Sequence, residues 1–203
     1  MITGFRRIHW IWAAILGIAL LCISFGAAQT GWLTAEKEKT IMSPAIMSLA
    51  ITSPSFPHNG AIPARHTCDG LNVSPPLAWA GVPAGTKSLA LIVDDPDAPD
   101  PAAPKMTWVH WVLYNIPTAA HGLTEGVAVK DSPAGTLQGV NDWQRTGYGG
   151  PCPPVGRHRY FFKLYALDIL LPDLKHPTKA VLEKAMQGHV LAHSELIGLY
   201  QRQ

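Results

Sequence analysis

Four carboxylates crowd one short stretch, residues 89–100 (LALIVDDPDAPD): Asp94, Asp95, Asp97 and Asp100, interleaved with Pro96 and Pro99 and followed at once by Pro101. A carboxylate can hold a cation, accept hydrogen bonds or orient an imidazole. Proline fixes φ and removes a donor, so this segment has little freedom left to lose when a ligand arrives. Two further stretches set imidazoles beside aromatics at strand spacing. In TWVHWVLYN (residues 107–115), alternation puts Trp108, His110, Val112 and Tyr114 on one face. In HRYFFKLYAL (residues 158–167), it does the same for His158, Tyr160, Phe162, Leu164 and Ala166. A lone histidine on a strand is more often a hydrogen-bonded core or surface group than a ligand binder. Two His–aromatic pairs beside a proline-locked carboxylate make a binding site the competing reading.

The segment GYGGPCPPVG (residues 147–156) is the other unusual feature. Glycines let backbone N–H groups approach a ligand, and successive N–H groups can form an anion nest. No Gly-Lys-Ser/Thr follows, and Pro151, Pro153 and Pro154 block the helix that a phosphate loop needs. By type, His110, His158 and Asp95 are acceptable zinc ligands. The chain has neither His-Glu-x-x-His nor Gly-x-Ser-x-Gly, so a metal-dependent hydrolase ranks third among the function classes, and neither catalytic residues, nor a metal, nor a cofactor is assigned.

These residues need a frame. The chain has 203 residues, 47% of them apolar, enough for one sizeable core. Its 18 glycines and 18 prolines point to a turn-rich, mainly β protein. Strands are expected at 88–93, 107–115 and 158–167. Asn59-Gly60 and Asp69-Gly70 are hairpin signals, and 82–85 (VPAG) is a further turn. Pro177-Thr178 predicts the start of a short helix over 179–187, stopped by Gly188. The ending HVLAHSELIGLY fits helix or strand equally by period. The polar, Gly-rich excursion at 122–157 is long enough to be a functional loop or lid.

The N-terminus is of another kind. Arg6 and Arg7 precede residues 10–28, 19 residues without a charge, which end in Gly26-Ala27-Ala28. Residues 1–28 therefore read as a cleaved signal peptide or, through 8–28, an uncleaved membrane anchor, with 29–50 a tether and 51–203 the domain. Either way the domain is exported, periplasmic or secreted. Removing residues 1–28 takes away two arginines and no acid, leaving 14 basic and 14 acidic residues. That neutral balance gives no basic patch and excludes nucleic acid as the expected partner. Cys68 and Cys152 remain, an even count that favours a disulfide in an oxidising compartment.

Taken in order, DDPDAP after an apolar strand, WVHWVLYNIP, and GYGGPCPPVGRHRYFFKLYALD resemble the phosphatidylethanolamine-binding protein family. TCDGLNVSPPLAW (residues 67–79) resembles its bacterial, Raf kinase inhibitor-like branch. The resemblance runs over residues 53–200 and implies an antiparallel β-sandwich with a few short helices and a small anion pocket at one end. It implies that Asp95, Pro99, Trp108, His110, the 149–154 loop with Gly149, Gly150 and Pro151, His158 and Tyr160 form that pocket. It also implies a phosphate-type anion or phospholipid head group as ligand, and it sets the Cys68–Cys152 pair near the pocket rim. The chain ends at GLYQRQ without the helix that screens the pocket in animal members, which implies a more open pocket. A carboxylate beside an anion needs an offset: about 4 kcal/mol for unit charges ~4 Å apart at a dielectric near 20. Either Asp95 orients a cationic His110 or His158 that meets the anion, or it stays protonated and donates to it, or it meets the ammonium of a zwitterionic head group. The leading expectation is a non-enzymatic binding module. An inhibitor of a protease or kinase that acts through its surface comes second.

Overall fold

The computed structural model describes residues 48–203. The expected signal or anchor at 1–28 and nearly all of the tether lie outside the described residues. Among those described, the chain forms nine strands and one α-helix. In order these are β1 (Ala50–Thr52), β2 (Gly60–Ala61), β3 (Leu77–Ala80), β4 (Ser88–Ala98), β5 (Met106–Ile116), β6 (Gly122–Leu123), β7 (Leu137–Gln138), β8 (Arg157–Leu167), α1 (Lys179–Met186) and β9 (Val190–Gln201).

A six-stranded sheet of order β2-β9-β8-β4-β5-β7 carries the structure, and a smaller sheet, β1-β3-β6, packs on one of its faces. Pairing is antiparallel throughout except where β2 meets β9. The continuous apolar run Leu89–Val93 reads as a strand buried on both sides, and it is one. Leu89, Leu91 and Val93 face the small sheet with Trp111, Phe162 and Leu164. Ala90 and Ile92 face the opposite way, against Leu182 and Met186 of α1. That helix starts where the sequence predicts: the Thr178 side chain accepts a hydrogen bond from the Val181 N–H, and Gly188 follows the helix at φ +79°. The undecided C-terminal segment is a strand, because eleven of the twelve residues of β9 find an antiparallel partner in β8. Among the described residues no helix is long and apolar enough to cross a membrane.

Three expectations need correction. Asn59-Gly60 makes a turn, with Asn59 at φ +61° and Gly60 N–H bonded to Pro57 O at 2.8 Å, but the next residues join β9 in parallel, so there is no hairpin. Asp69-Gly70 likewise closes a 3₁₀ turn, with Gly70 N–H on Thr67 O at 3.1 Å. The third correction matters for the site. Val93 opposes Trp111 and Asp94 opposes Val109, so His110 is the extra residue of a β-bulge. The bulge breaks the alternation: Val112 and Tyr114 join the helix-side core instead of sharing a face with His110.

Candidate ligand-binding pocket

The acidic stretch is strand, not turn. β4 continues through Ala98, and each carboxylate has its own partner. Asp94 takes Lys163 and Lys179. Asp95 takes the His158 Nδ1 at 2.7 Å and the Asp97 N–H at 2.8 Å. Asp97 accepts from Arg159 through its backbone N–H, Nε and Nη2, at 2.7–2.9 Å. Asp100 ties a turn by accepting the Ala102 N–H at 2.9 Å. Pro96 and Pro99 hold this segment in line, and the Ala98–Pro99 bond is cis.

Where β4, β5 and β8 end together, a cavity of ≈ 330 Å³ opens. Asp95, Ala98 and Pro99 line it from β4 and its end, Met106, Trp108 and His110 from β5, His158 and Tyr160 from β8, Cys152, Pro153 and Pro154 from the loop that precedes β8, and Trp143 from the excursion. Six of the nine residues named from sequence thus meet here: Asp95, Pro99, Trp108, His110, His158 and Tyr160. Gly149, Gly150 and Pro151 do not line it. The Gly149 N–H donates to His110 O at 3.0 Å and the Gly150 N–H to Asn72 Oδ1 at 2.7 Å, so neither of these N–H groups is left for an anion. These glycines serve close packing instead. A Cβ on Gly149 would run into the Trp143 ring, and one on Gly150 into the His66 carbonyl. The neighbouring Cys152 is bonded to Cys68, with Cα atoms 5.4 Å apart, which ties the pocket wall to the 64–70 segment.

The two histidines are in different states. His158 is fully buried, and its Nε2 lies 2.9 Å from Val155 O, an acceptor only, so Nε2 carries hydrogen. Its 2.7 Å contact with Asp95 then holds one more proton between nitrogen and oxygen. Whichever atom carries it, the Asp95–His158 pair is neutral overall. Burial pushes the Asp95 carboxyl up from its ordinary range, against the opposing pull of the His158 hydrogen bond. His110 Nδ1 donates to Gly149 O at 2.7 Å, which leaves Nε2 bare, buried and without a partner. Burial pushes His110 down to about 4, so it is neutral at pH 7. The expectation of a cationic His110 is therefore corrected: a fully dry imidazole with one carbonyl partner keeps a lone pair instead of a second proton. Tyr160 Oη is also buried and unpartnered, and desolvation raises its pKa, so it stays a phenol. No lysine or arginine lines the cavity. Nor do three His, Cys, Asp or Glu side chains gather anywhere among the described residues to hold a metal; both His158 nitrogens are already engaged.

Sequence reading missed Trp143 and Met106. Trp143 packs edge-on against Trp108 and His110, with ring centroids 5.4 and 5.2 Å away. Its loop is held by Asn141, which bonds Gly147 O and the Trp143 N–H at 3.0 Å each, and by Asp142, which accepts the Val109 N–H at 2.7 Å. The available signal was a tryptophan in an otherwise polar, Gly-rich excursion. Met106 opens β5 with no pattern to mark it.

The model of the phosphatidylethanolamine-binding protein family matches residues 52–201. The chain belongs to this family. A UPF0098 protein of Methanothermobacter thermautotrophicus is 53% identical over 149 residues, 73% of this chain and 95% of that one. A UPF0098 protein of Chlamydia muridarum is 41% identical over 76% of this chain and 99% of its own. Among solved structures, the phosphatidylethanolamine-binding protein homologue CT736 of Chlamydia trachomatis superposes with a TM-score of 0.71 at 39% identity, over 77% of this chain and 99% of that one. Escherichia coli YbcL, described as a new member of the mammalian family, gives 0.69 at 32% identity with the same coverage. The pocket thus lies in a phosphatidylethanolamine-binding protein fold, at the meeting of the motifs that carry the resemblance.

Proposed function

We propose that this is a non-enzymatic, exported binding protein whose pocket takes one small phosphate-type group, free or on a phospholipid head group. One observation carries the reading: His110 Nε2 and Tyr160 Oη are buried without partners on the wall of a preformed cavity. Each such atom costs about 1–3 kcal/mol while unpaired, and an oxygen-rich ligand relieves both. Among the lining residues there is no serine, lysine or free thiol to act as a nucleophile, since Cys152 is bonded. The disulfide supports an oxidising compartment. The exposed rim residues Met106 and Trp143, 53% and 38% accessible, suit a phosphate borne on something apolar.

The test is an NMR titration of the full chain near pH 6 with phosphate, phosphoethanolamine and acetate. Saturable shifts of the His110 and Tyr160 rings with the phosphorylated ligands, and weaker ones with acetate, are expected. No saturable shift with any of them removes the reading.

A further inference from the structure

Four facts about the pocket set a condition on its ligand. The lining has no lysine or arginine. Its acid–imidazole pair, Asp95 and His158, is neutral as a unit. His110 is locked by Gly149 O into the tautomer whose Nε2 is an acceptor. That Nε2 is buried and has no donor. A ligand oxygen without hydrogen meets this lone pair as one acceptor meets another. A ligand oxygen carrying hydrogen completes it, and Tyr160 Oη then donates to a second, bare oxygen of the same group.

We propose that the pocket takes the phosphoryl group in its protonated monoanion form, P–OH donating to His110 Nε2. This favours a phosphate monoester over its dianion and over a phosphodiester, which has no P–OH to give. The inference rests on the phosphate-type reading above and narrows it to monoesters, whether soluble or at the head of a lipid. The charged and titratable groups around His110 are Asp94 and Asp95 on β4, His158 and Tyr160 on β8, and Asp142 and Arg145 in the Trp143 loop. Asp94 is tied to Lys163 and Lys179, Asp95 is neutral as a pair with His158, and Asp142 and Arg145 carry opposite charges, so the ring does not gather the net positive charge that a dianion would call for.

The experiment compares methyl phosphate with dimethyl phosphate by calorimetry on the full chain from pH 5 to pH 8. The monoester loses its second proton near a pKa of about 6. Its affinity is expected to fall roughly a hundredfold between pH 5 and pH 8, following the monoanion. Dimethyl phosphate is a monoanion throughout and reports any titration of the protein itself. It is expected to bind roughly tenfold or more weakly than the monoester at pH 5, the cost of an unmet buried acceptor, with a flat profile. In H110Q, whose amide can turn to donate or accept, the two ligands should come within about threefold of each other. Phosphatidylcholine vesicles doped with phosphatidic acid, against vesicles doped with phosphatidylglycerol, separate the sources. Retention on the first alone assigns the monoester to a lipid, and retention on neither, with methyl phosphate still bound, assigns it to a soluble compound. Monoester affinity that holds or rises toward pH 8, or that changes in parallel with the diester, overturns the proposal and leaves the phosphate reading standing. Binding of neither ester at any pH removes both.

Discussion

Asp94 and Asp95 are neighbours in the chain and opposites in the fold. Both are nearly inaccessible, at 0% and 3% exposure. The two-residue period of β4 sends them to opposite faces. On the helix side, Asp94 lies 2.9 Å from the Lys163 ammonium and 2.6 Å from that of Lys179, and Lys179 reaches on to Glu183 at 3.6 Å. Two cations and two carboxylates close on themselves and stitch β4, β8 and α1 together. On the other side, Asp95 meets one imidazole, with which it shares a proton, and the Asp97 N–H, and beyond them the cavity. A buried carboxylate is thus a structural tie or part of a binding wall according to what faces it. Ammonium groups engaged by carboxylates form a closed tie, whereas a neutral pair beside two unpaired polar atoms lines a cavity with a defined chemistry.

The sharpest way to break that contrast is to remove each carboxylate in turn. Asp94→Ala leaves two partly buried ammonium groups facing each other, and the loss expected in urea denaturation is about 3–5 kcal/mol, with the pocket resonances unchanged in any fraction still folded. Asp95→Asn offers the His158 Nδ1 lone pair an amide N–H donor and should cost about 1 kcal/mol while shifting the His158 and Tyr160 rings. Equal losses for the two would erase the distinction. The pocket side has a tie of its own in the Cys68–Cys152 bond, which closes a loop of 84 residues in sequence separation. Cys68→Ser should lower stability by about 2–4 kcal/mol under oxidising conditions and match the wild type in reductant. An equal deficit with and without reductant would assign Cys68 a packing role instead.

The two faces also differ in how far they could be read from sequence. The β4, β5 and β8 strands were readable because apolar and aromatic periodicity survives without knowledge of partners. Six pocket residues, five on those strands and Pro99 just past β4, followed from the resemblance of their motifs to the family. What could not be read depended on pairing. The bulge that aims His110 exists only in the register of β5 against β4. The glycines of the 147–156 loop look the same in sequence whether their N–H groups face a ligand or are spent on His110 O and Asn72. Trp143 reaches the site from a loop fixed by Asn141, a contact no period encodes. The double tie on Asp94 was invisible for a similar reason, since Lys163 and Lys179 come from elements 69 and 85 residues away. The family resemblance pointed to the site, and the three-dimensional register determined its charge.

That charge makes acid the next probe. His110 is held neutral in the fold, down to about 4, against about 6.5 unfolded. As pH falls from 6.5 toward 4 the unfolded chain takes up a proton that the folded one refuses. Stability is therefore intact above pH 6.5 and is lost progressively below it, by up to about 3 kcal/mol at this one residue. H110Q should lack this part of the acid loss when unfolding free energies are compared at pH 7 and pH 4. A wild-type slope retained in H110Q would mean that His110 is charged or exposed in the fold.

A comparably small effect belongs to the third carboxylate, at the margin between the two sides. The Arg159 guanidinium holds the Asp97 carboxyl below its usual range, through paired contacts of 2.9 and 2.7 Å. A depressed carboxyl pKa contributes stability that is complete above the unfolded value of about 3.9 and fades as pH falls through the folded one. Arg159 is 53% exposed, so water screens the pair, and Asp97→Asn should cost only about 1 kcal/mol at pH 7. Once pH has fallen below the folded value the variant and the wild type should converge. A deficit that stays constant through that range would mean that the ion pair adds nothing measurable.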